Sequence, residues 1–298
     1  MIQGCATALV TPFTAKGELD EEGLRNLVTF QEENGVDYIV PCGTTGESAT
    51  LSHAEHLKVI NIVIDQAKKA KVIAGAGSNS TSEAVHLSKG AKDLGAHALL
   101  SISPYYNKPT QKGIIKHYET IATAVDIPVI VYNVPGRTSS NINPPTVIQL
   151  AKIPNIVGIK EASGNMGQIM SILAQAPKGF SVLSGDDPLT FPIMAMGGNG
   201  VISVASNVDP LSVSSMVHYA LMGRWEEARK EHFKLLPLYN GLFIETNPIP
   251  VKTALALLGK IDGEMRLPLY PLAPANLEKL KSALKNYGLI KGQKKEKK

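Results

Sequence analysis

The sequence has 298 residues, 44% of them hydrophobic and 19% charged, which is typical of a folded globular protein and excludes an intrinsically disordered chain. Its net charge of +4 comes from the last eight residues, KGQKKEKK, because removing these five Lys and one Glu leaves 25 basic and 25 acidic residues. A neutral body argues against a nucleic-acid partner, and we predict a disordered basic tail over 291–298.

Cysteine content and the N-terminal segment lead us to expect a cytoplasmic protein. Cys5 and Cys42 have no metal-ligand or CxxC spacing, and we expect no disulfide framework. The segment MIQGCATALV lacks the pattern of a signal peptide, and no run approaches the ~18 apolar residues of a membrane span. The seven His residues lie outside any metal-binding motif and no nucleotide-binding loop is apparent, so we expect no cofactor.

Short apolar runs alternate with amphipathic stretches along the chain. The length of these runs and their Val and Ile content favour buried parallel strands. The eight runs are ATALVTPF (6–13), YIVPC (38–42), VIAGAG (72–77), HALLSIS (97–103), PVIVYN (128–133), IVGIKEA (156–162), SVLSG (181–185) and GVISVAS (200–206).

Helix start and stop signals lie between the first runs. A first helix is predicted from a cap at Asp20 to Gly35. A capping box of Ser52 with Glu55 predicts the start of a second helix. A third helix is predicted to begin at a cap formed by Thr81.

Eight strand–helix units predict a (β/α)8 TIM barrel. A doubly wound open sheet is the alternative, but it usually has fewer strands, and no G-x-G-x-x-G turn follows the first run. Further helical patterns at about 223–238, 248–258 and 275–287 predict a C-terminal helical appendage. We therefore expect a catalytic barrel over 1–222 and a helical region over 223–290.

Polar residues at the carboxyl ends of the predicted strands indicate the site, because barrel enzymes place their active sites there. The sixth run continues into Lys160, a charged residue at the end of a buried strand. Strand parity predicts that Gly158 and Ala162 share its inward face and leave room for a ligand, while Val157 points outward. Tyr132 is expected on the same face of the neighbouring strand, about 4.8 Å away.

A lysine in this position has a specific chemistry. Burial lowers its pKa, and a neutral amine attacks a ketone to form a Schiff base, for which Tyr132 is a suitable proton carrier. The turn GTTGES (43–48) presents backbone N–H groups and the hydroxyls of Thr44 and Thr45 to an anion such as a carboxylate. The plainer interpretations are an ion pair for Lys160, ring packing for Tyr132 and an ordinary strand-to-helix turn.

Five motifs, in this order and spacing, resemble the dihydrodipicolinate synthase family, within the pyruvate-dependent class I aldolases and lyases. The resemblance covers nearly the whole chain. It implies condensation of pyruvate with L-aspartate 4-semialdehyde, a step of lysine and diaminopimelate biosynthesis, by a homotetramer built as a dimer of dimers. The motifs are GTTGES (43–48), SPYYNKPTQ (103–111), VYNVPGRT (131–138), VGIKEASG (157–164) and SGDD (184–187).

The resemblance also implies roles for individual residues. Lys160 matches the Schiff-base lysine, and Arg137 matches the residue that receives the semialdehyde carboxylate. Tyr132, Thr44 and Tyr106 match a proton relay, in which the tyrosine at the position of Tyr106 reaches the site of a neighbouring subunit. The pyruvate-binding and pocket-lining positions match Thr45, Gly185 and Ile202.

A second group of residues matches the site where L-lysine binds in feedback-inhibited family members. Two of them, His53 and His56, share one face of a helix, and Glu83 suits an ammonium group. The plainer interpretation is that the two His are simple surface or interface residues. We expect inhibition by L-lysine through the complete group, which is Ser48, Ala49, His53, His56, Asn79, Glu83 and Tyr105.

Two other functions are weighed against this one. N-acetylneuraminate lyases and 2-keto-3-deoxy sugar acid aldolases share the lysine and the tyrosine, but they usually lack an arginine at the position of Arg137, where a sugar chain brings hydroxyls. A small-ligand binding protein that has lost catalysis is compatible with a barrel fold. The joint presence of lysine, tyrosine, threonine and arginine argues against it.

Overall fold

The computed structural model describes residues 1–290, which contain a closed barrel of eight parallel strands. The strands are β1 (Gly4–Ala8), β2 (Tyr38–Val40), β3 (Lys71–Gly75), β4 (Ala98–Ile102), β5 (Val129–Asn133), β6 (Ile156–Glu161), β7 (Ser181–Ser184) and β8 (Gly200–Ser203). Each strand pairs with the next in the chain, and β8 pairs with β1 to close the barrel. The predicted (β/α)8 TIM barrel is therefore confirmed.

Helices alternate with the strands and cover the outside of the barrel. Short 3₁₀ turns lie at Ser48–Thr50, Asp187–Leu189 and Ala205–Asn207. Within residues 1–290 the α-helices are α1 (Glu21–Glu33), α2 (His53–Gln66), α3 (Thr81–Asp93), α4 (Gln111–Ala124), α5 (Pro135–Thr138), α6 (Pro144–Leu150), α7 (Met166–Gln175), α8 (Thr190–Ala195), α9 (Pro210–Leu221), α10 (Trp225–Leu242), α11 (Ile249–Leu257) and α12 (Pro274–Tyr287).

Side-chain caps start the first two helices as predicted. The Asp20 carboxylate accepts the N–H of Gly23 at 2.8 Å and caps α1. At α2 both hydrogen bonds of the capping box between Ser52 and Glu55 are present. Each cap satisfies backbone donors that have no partner inside the helix.

The predicted cap of the third helix is wrong by one residue. Ser80, not Thr81, has the extended backbone of a cap, and its hydroxyl accepts the N–H of Glu83. Thr81 is the first residue of α3, and its hydroxyl lies 2.9 Å from Nδ1 of His117. Both residues are good capping residues, so the local sequence does not distinguish them.

The apolar side chains form two layers. A larger layer lies between the strands and the helices. A smaller cluster fills the inside of the barrel, with small side chains from β1 and branched ones from β3, β5 and β8. Its members include Ala6, Ala8, Ile73, Ile130 and Ile202. Because side chains fill the inside of the barrel, an active site has to lie at one end of it.

The last three helices pack onto the barrel and onto one another. α10 packs against α9 and α12, and α12 also contacts α11. The division of the chain at residue 222 stays a prediction, and the predicted basic tail, 291–298, lies outside the described residues. Within residues 1–290, no helix has both the length and the apolar character needed to cross a lipid bilayer.

Candidate active site

Lys160 and Tyr132 lie side by side at the carboxyl end of the barrel. They are directly paired in the register between β5 and β6. Lys160 Nζ lies 4.3 Å from the centre of the Tyr132 ring, and both side chains are buried. The structure thus brings together the amine and the phenol that strand parity predicts to be neighbours.

Val157, at the start of β6, does not point outward as strand parity predicts. The register between β5 and β6 shifts between Val129 and Ile130, so that Val157 is skipped in the pairing. This bulge lets Val157 pack against the inner cluster instead of pointing outward. Gly158 also leaves no room for a ligand, because a Cβ there would lie 2.6 Å from a carbonyl oxygen of β7. Strand packing therefore explains this glycine.

A cavity of about 480 Å³ opens at this end of the barrel. Ala162 lines it, as the parity argument predicts. Gly185 keeps space in it, because a Cβ at that position would lie 2.9 Å from Lys160 Cε and 2.7 Å from Ala162 Cβ. Of the site residues expected from sequence, the cavity brings together Thr44, Thr45, Tyr132, Arg137, Lys160 and Gly185.

The charged form of Lys160 is disfavoured in this cavity. Burial lowers the pKa of its amine to about 8, because the ammonium group loses its hydration. The negative charge of Asp187 raises this pKa and the positive charge of Arg137 lowers it, and both effects are smaller than that of burial. Part of the amine is therefore neutral near pH 7, and the neutral amine is the nucleophile.

The phenol of Tyr132 is shifted in the opposite sense. Burial raises its pKa to about 12, because the phenolate would lose its hydration. The charge of Arg137 and a hydrogen bond with the Thr44 side chain lower the pKa by smaller amounts. Tyr132 therefore keeps its proton near pH 7 and is able to donate it to a basic atom beside it.

The turn after β2 carries Thr44 and Thr45 to the cavity. Its backbone is held by the Gly43 carbonyl, which accepts N–H groups from the next turn of chain. The turn is also anchored through Glu47, whose fully buried carboxylate lies 2.5 Å from Nζ of the fully buried Lys252 on α11. Sequence reasoning missed this ion pair, because the two residues are 205 positions apart.

Arg137 lies at the mouth of the cavity on α5, the short helix PGRT. Its side chain is exposed, and Nη2 donates to the carbonyl oxygen of Asn247 at 2.9 Å. Asn247 also lines the cavity, and its Nδ2 donates to Thr45 Oγ1 at 2.9 Å. Sequence reasoning did not identify Asn247, which lies between α10 and α11, far along the chain from both partners.

The buried carboxylate of Asp187, in the motif SGDD, supports the end of β8. It accepts the hydroxyl of Ser203 at 2.5 Å and the N–H groups of Val204 and Ala205 at 3.0 Å each. The motif was noted in the sequence, but no role for this aspartate was predicted. Within residues 1–290, no three His, Cys, Asp or Glu side chains are grouped so as to hold a metal ion.

Two expected site residues do not line the cavity formed by residues 1–290. Tyr106 lies on the loop SPYYNKPTQ with a left-handed backbone (φ 70°) and is 90% exposed. Ile202 on β8 is buried in the inner cluster. The cavity of one chain thus contains two members of the expected relay, Tyr132 and Thr44, but not the third, Tyr106.

A second cavity, of about 390 Å³, lies next to the first. Hydrogen bonds from Ser78 and His53 hold the pKa of Glu83 below its ordinary value, so a carboxylate is available there. Asn79 does not line the cavity, and its carbonyl oxygen accepts the amide of Asn107 at 2.9 Å. The expected lysine-site residues that do line it are Ser48, Ala49, His53, His56, Glu83 and Tyr105.

The two cavities share a wall. Six residues line both of them, and Thr44 and Tyr132 are among the six. A molecule in the second cavity would therefore lie against residues that also face Lys160. The shared residues are Gly43, Thr44, Leu100, Tyr132, Arg137 and Asn247.

Sequence comparison identifies relatives over almost the whole chain. Residues 1–287 match the Dihydrodipicolinate synthetase family. The 4-hydroxy-tetrahydrodipicolinate synthase of Syntrophobacter fumaroxidans is 56% identical over 292 residues, which cover 97% of this chain and 100% of the relative. The resemblance expected from the five motifs is thereby confirmed.

Solved structures of similar sequence have the same fold. Dihydrodipicolinate synthase from Acinetobacter baumannii, complexed with pyruvate, is 46% identical with a TM-score of 0.95 and covers 97% of this chain and 100% of that chain. The enzyme from Cyanidioschyzon merolae with lysine bound is 43% identical with a TM-score of 0.94, covering 97% and 99%. Sequence and fold agree along the chain, which belongs to the dihydrodipicolinate synthetase family.

Proposed function

We propose that this protein condenses pyruvate with L-aspartate 4-semialdehyde to 4-hydroxy-tetrahydrodipicolinate, in lysine and diaminopimelate biosynthesis. The observation that carries the proposal is the buried amine of Lys160, with a lowered pKa, beside Tyr132 in an open cavity. The 56% identity to a 4-hydroxy-tetrahydrodipicolinate synthase supports the same activity.

The reaction begins with covalent capture of pyruvate. The nitrogen of Lys160 adds to the ketone carbon, and loss of water leaves an imine. Loss of a proton from the pyruvate methyl group gives an enamine, whose carbon attacks the aldehyde carbon of the semialdehyde. The aldehyde oxygen takes a proton and becomes a hydroxyl, and the imine re-forms. The amino group of the semialdehyde then adds to the imine carbon, closes the six-membered ring and releases Lys160. The imine is the electron sink, so these steps need no metal or organic cofactor.

The residues around Lys160 bind the carboxylate and move protons in this proposal. Thr44 and Thr45 donate to the pyruvate carboxylate, and the backbone at Gly185 completes its pocket. Tyr132, Thr44 and Tyr106 pass protons between the reacting atoms and solvent. The side chain of Thr44 lies close enough to the Tyr132 phenol to lower its pKa, which supports the first link of this relay.

Arg137 selects the second substrate. Its exposed guanidinium at the cavity mouth fits the carboxylate of the semialdehyde, because the fork of N–H donors matches two oxygen atoms. A sugar-acid substrate would bring hydroxyl groups to this place. Arg137 therefore favours the semialdehyde over N-acetylneuraminate or a 2-keto-3-deoxy sugar acid.

The active form contains a second copy of the chain. A tyrosine side chain that is 90% exposed on a left-handed loop residue is costly in a monomer, and Tyr106 gains a function if it enters a neighbour's site. Exposed Leu267 and Tyr270 add apolar surface. We propose a homotetramer made of two such dimers.

L-Lysine is the proposed feedback inhibitor, bound in the second cavity. Glu83 supplies a carboxylate for an ammonium group, and His53 lies 2.5 Å from it. The relative from Cyanidioschyzon merolae binds lysine, which supports this ligand. The shared wall gives the inhibitor a route to Thr44 and Tyr132.

The cytoplasm is the proposed compartment of this biosynthetic step. Cys5 and Cys42 are both buried as free thiols. A protein without disulfides among its described residues suits a reducing compartment. Fractionation of cells that express the protein, with detection by antibody, tests this location.

Borohydride trapping tests the central step. Reduction in the presence of pyruvate should add a pyruvate-derived mass to the peptide that contains Lys160, and Lys160→Ala should lose both the adduct and nearly all activity. Arg137→Ala should still form the adduct but use the semialdehyde poorly in a coupled assay. An adduct on another residue, or none, contradicts the mechanism. Turnover of N-acetylneuraminate in place of the semialdehyde contradicts the substrate assignment.

A further inference from the structure

Asn247 contacts both groups that are proposed to bind substrate carboxylates. Its side-chain Nδ2 donates to Thr45 Oγ1, and its backbone carbonyl accepts Nη2 of Arg137, each at 2.9 Å. The residue is 95% buried and lines both cavities. Asn247 therefore connects Thr45, inside the substrate cavity, to Arg137 at its mouth.

The direction of the bond to Thr45 decides what its hydroxyl can do. A hydroxyl has one proton to donate, and it accepts hydrogen bonds on its lone pairs. Because Asn247 donates to Thr45 Oγ1, the hydroxyl proton is not used on Asn247. Within residues 1–290, Thr45 donates to no other acceptor, so the proton is available to an anion in the cavity.

The orientation of the Asn247 amide sets the direction of its bond to Thr45. Oδ1 is buried, and no donor among residues 1–290 pairs with it. If the amide were turned over, Oδ1 would take the Thr45 proton and leave the two amide protons buried in its place. The cavity would then lose its hydroxyl donor to the carboxylate.

We propose that Asn247 is a positioning residue that directs the Thr45 hydroxyl proton toward a 2-oxo acid carboxylate and at the same time orients Arg137 at the cavity mouth. The inference rests on the proposed function, because it assigns Thr45 to pyruvate. It adds a residue, distant in sequence, through which both substrate carboxylates are placed.

The backbone near Asn247 is held firmly enough for this role. Lys252, on the first turns of α11, is fully buried and bonds both Glu47 and the carbonyl oxygen of Thr11. Glu47 belongs to the same turn as Thr45. The segment that carries Asn247 is thus fixed to the turn that it orients, which keeps the 2.9 Å contact in place.

Substitutions of Asn247 separate this role from simple packing. Asn247→Asp has the same shape, but its carboxylate accepts the Thr45 proton and repels pyruvate. The pyruvate concentration that gives half-maximal borohydride labelling should therefore rise about a hundredfold. Asn247→Leu removes the donor without adding a charge and should raise this concentration about fivefold. Asn240→Asp places the same charge on an exposed residue of the same cavity and measures the effect of charge without the contact to Thr45.

A mutant cycle with Thr45→Val provides the second measurement. If Asn247 acts through Thr45, adding Asn247→Leu to Thr45→Val should not weaken pyruvate capture further. The proposal would be overturned if the two substitutions weaken pyruvate capture independently in the double variant. It would also be overturned if Asn247→Asp and Asn247→Leu need the same pyruvate concentration for half-maximal labelling. The mutant cycle shows whether Asn247 acts through Thr45 even if the Asn247→Asp variant does not fold. Wild-type protein that is not labelled on Lys160 would instead overturn the proposed function itself, and the two failures are thus distinct.

Discussion

At the scale of single residues, the burial of Lys160 accounts for its proposed reactivity. With a pKa of about 8, about a tenth of the amine is neutral at pH 7, a few hundred times more than at its ordinary pKa of 10.5. Asp187 and Arg137 shift this pKa in opposite directions. The neutral fraction therefore depends on both charges as well as on burial.

Pyruvate capture should become faster as the pH rises from about 7 to about 9, because the fraction of neutral Lys160 increases until the pH exceeds its pKa. The measurement is the initial rate of imine formation, quenched with borohydride at each pH. Arg137→Ala removes a positive charge that lowers this pKa, and it should move the midpoint to higher pH. A rate that is constant over this range contradicts the assigned pKa.

Residues that break a local pattern were predictable from sequence, whereas residues defined by distant contacts were not. Lys160 stands out because a charge ends an apolar run, and the Ser52 capping box follows from spacing alone. Val157 was misplaced because the bulge in the pairing of β5 with β6 has no local signal. Asn247 was missed because its partners are 110 and 202 positions away.

At the scale of elements, the Glu47–Lys252 pair joins the turn after β2 to α11. Both side chains are fully buried, and Lys252 Nζ also lies 4.4 Å from the centre of the Phe13 ring. The second carboxylate oxygen of Glu47 accepts the N–H of Arg266 at 3.1 Å. A buried pair of this kind is sensitive to loss of either partner, because the remaining charge has no compensation.

Lys252→Met should lower the free energy of unfolding by about 3–5 kcal/mol, because it leaves the Glu47 carboxylate buried without its ammonium partner. The double variant Glu47→Gln with Lys252→Met should regain much of this loss. Denaturant unfolding, followed by circular dichroism, gives both values.

The matched control is Lys281→Met, which breaks the exposed pair of Lys281 with Glu278 on α12. It should change stability little, because water screens exposed charges. If Lys252→Met is no more harmful than Lys281→Met, the buried pair does not anchor the turn.

At the scale of the whole molecule, Tyr106 tests whether one chain completes the site of another. Lys160→Ala and Tyr106→Phe should each be nearly inactive alone. When the two are unfolded and refolded together, half of the dimers are mixed, and each mixed dimer has one site with both residues intact, so about a quarter of wild-type activity should return. No recovery would indicate that Tyr106 acts within its own chain.

Inhibition by L-lysine should depend on Glu83. The neutral amide of Glu83→Gln removes the charge opposite the ammonium group, so the inhibitory concentration should rise about tenfold or more. Glu119→Gln makes the same change on the surface of α4, outside the second cavity, and should leave inhibition as it is. Initial rates of the wild type that stay flat up to about millimolar lysine would contradict feedback control.

The pairing of Glu47 with Lys252 also bears on the order in which the protein is made. Synthesis on the ribosome completes the eight strands at Ser203, well before Lys252 has been added. Until then the carboxylate of Glu47 cannot pair with Lys252, and the turn that carries Thr44 and Thr45 lacks its connection to α11. A chain that ends between Ser203 and Lys252 therefore contains the residues of all eight strands and Lys160, but it lacks the ammonium group that ties the turn of Thr44 and Thr45 to α11.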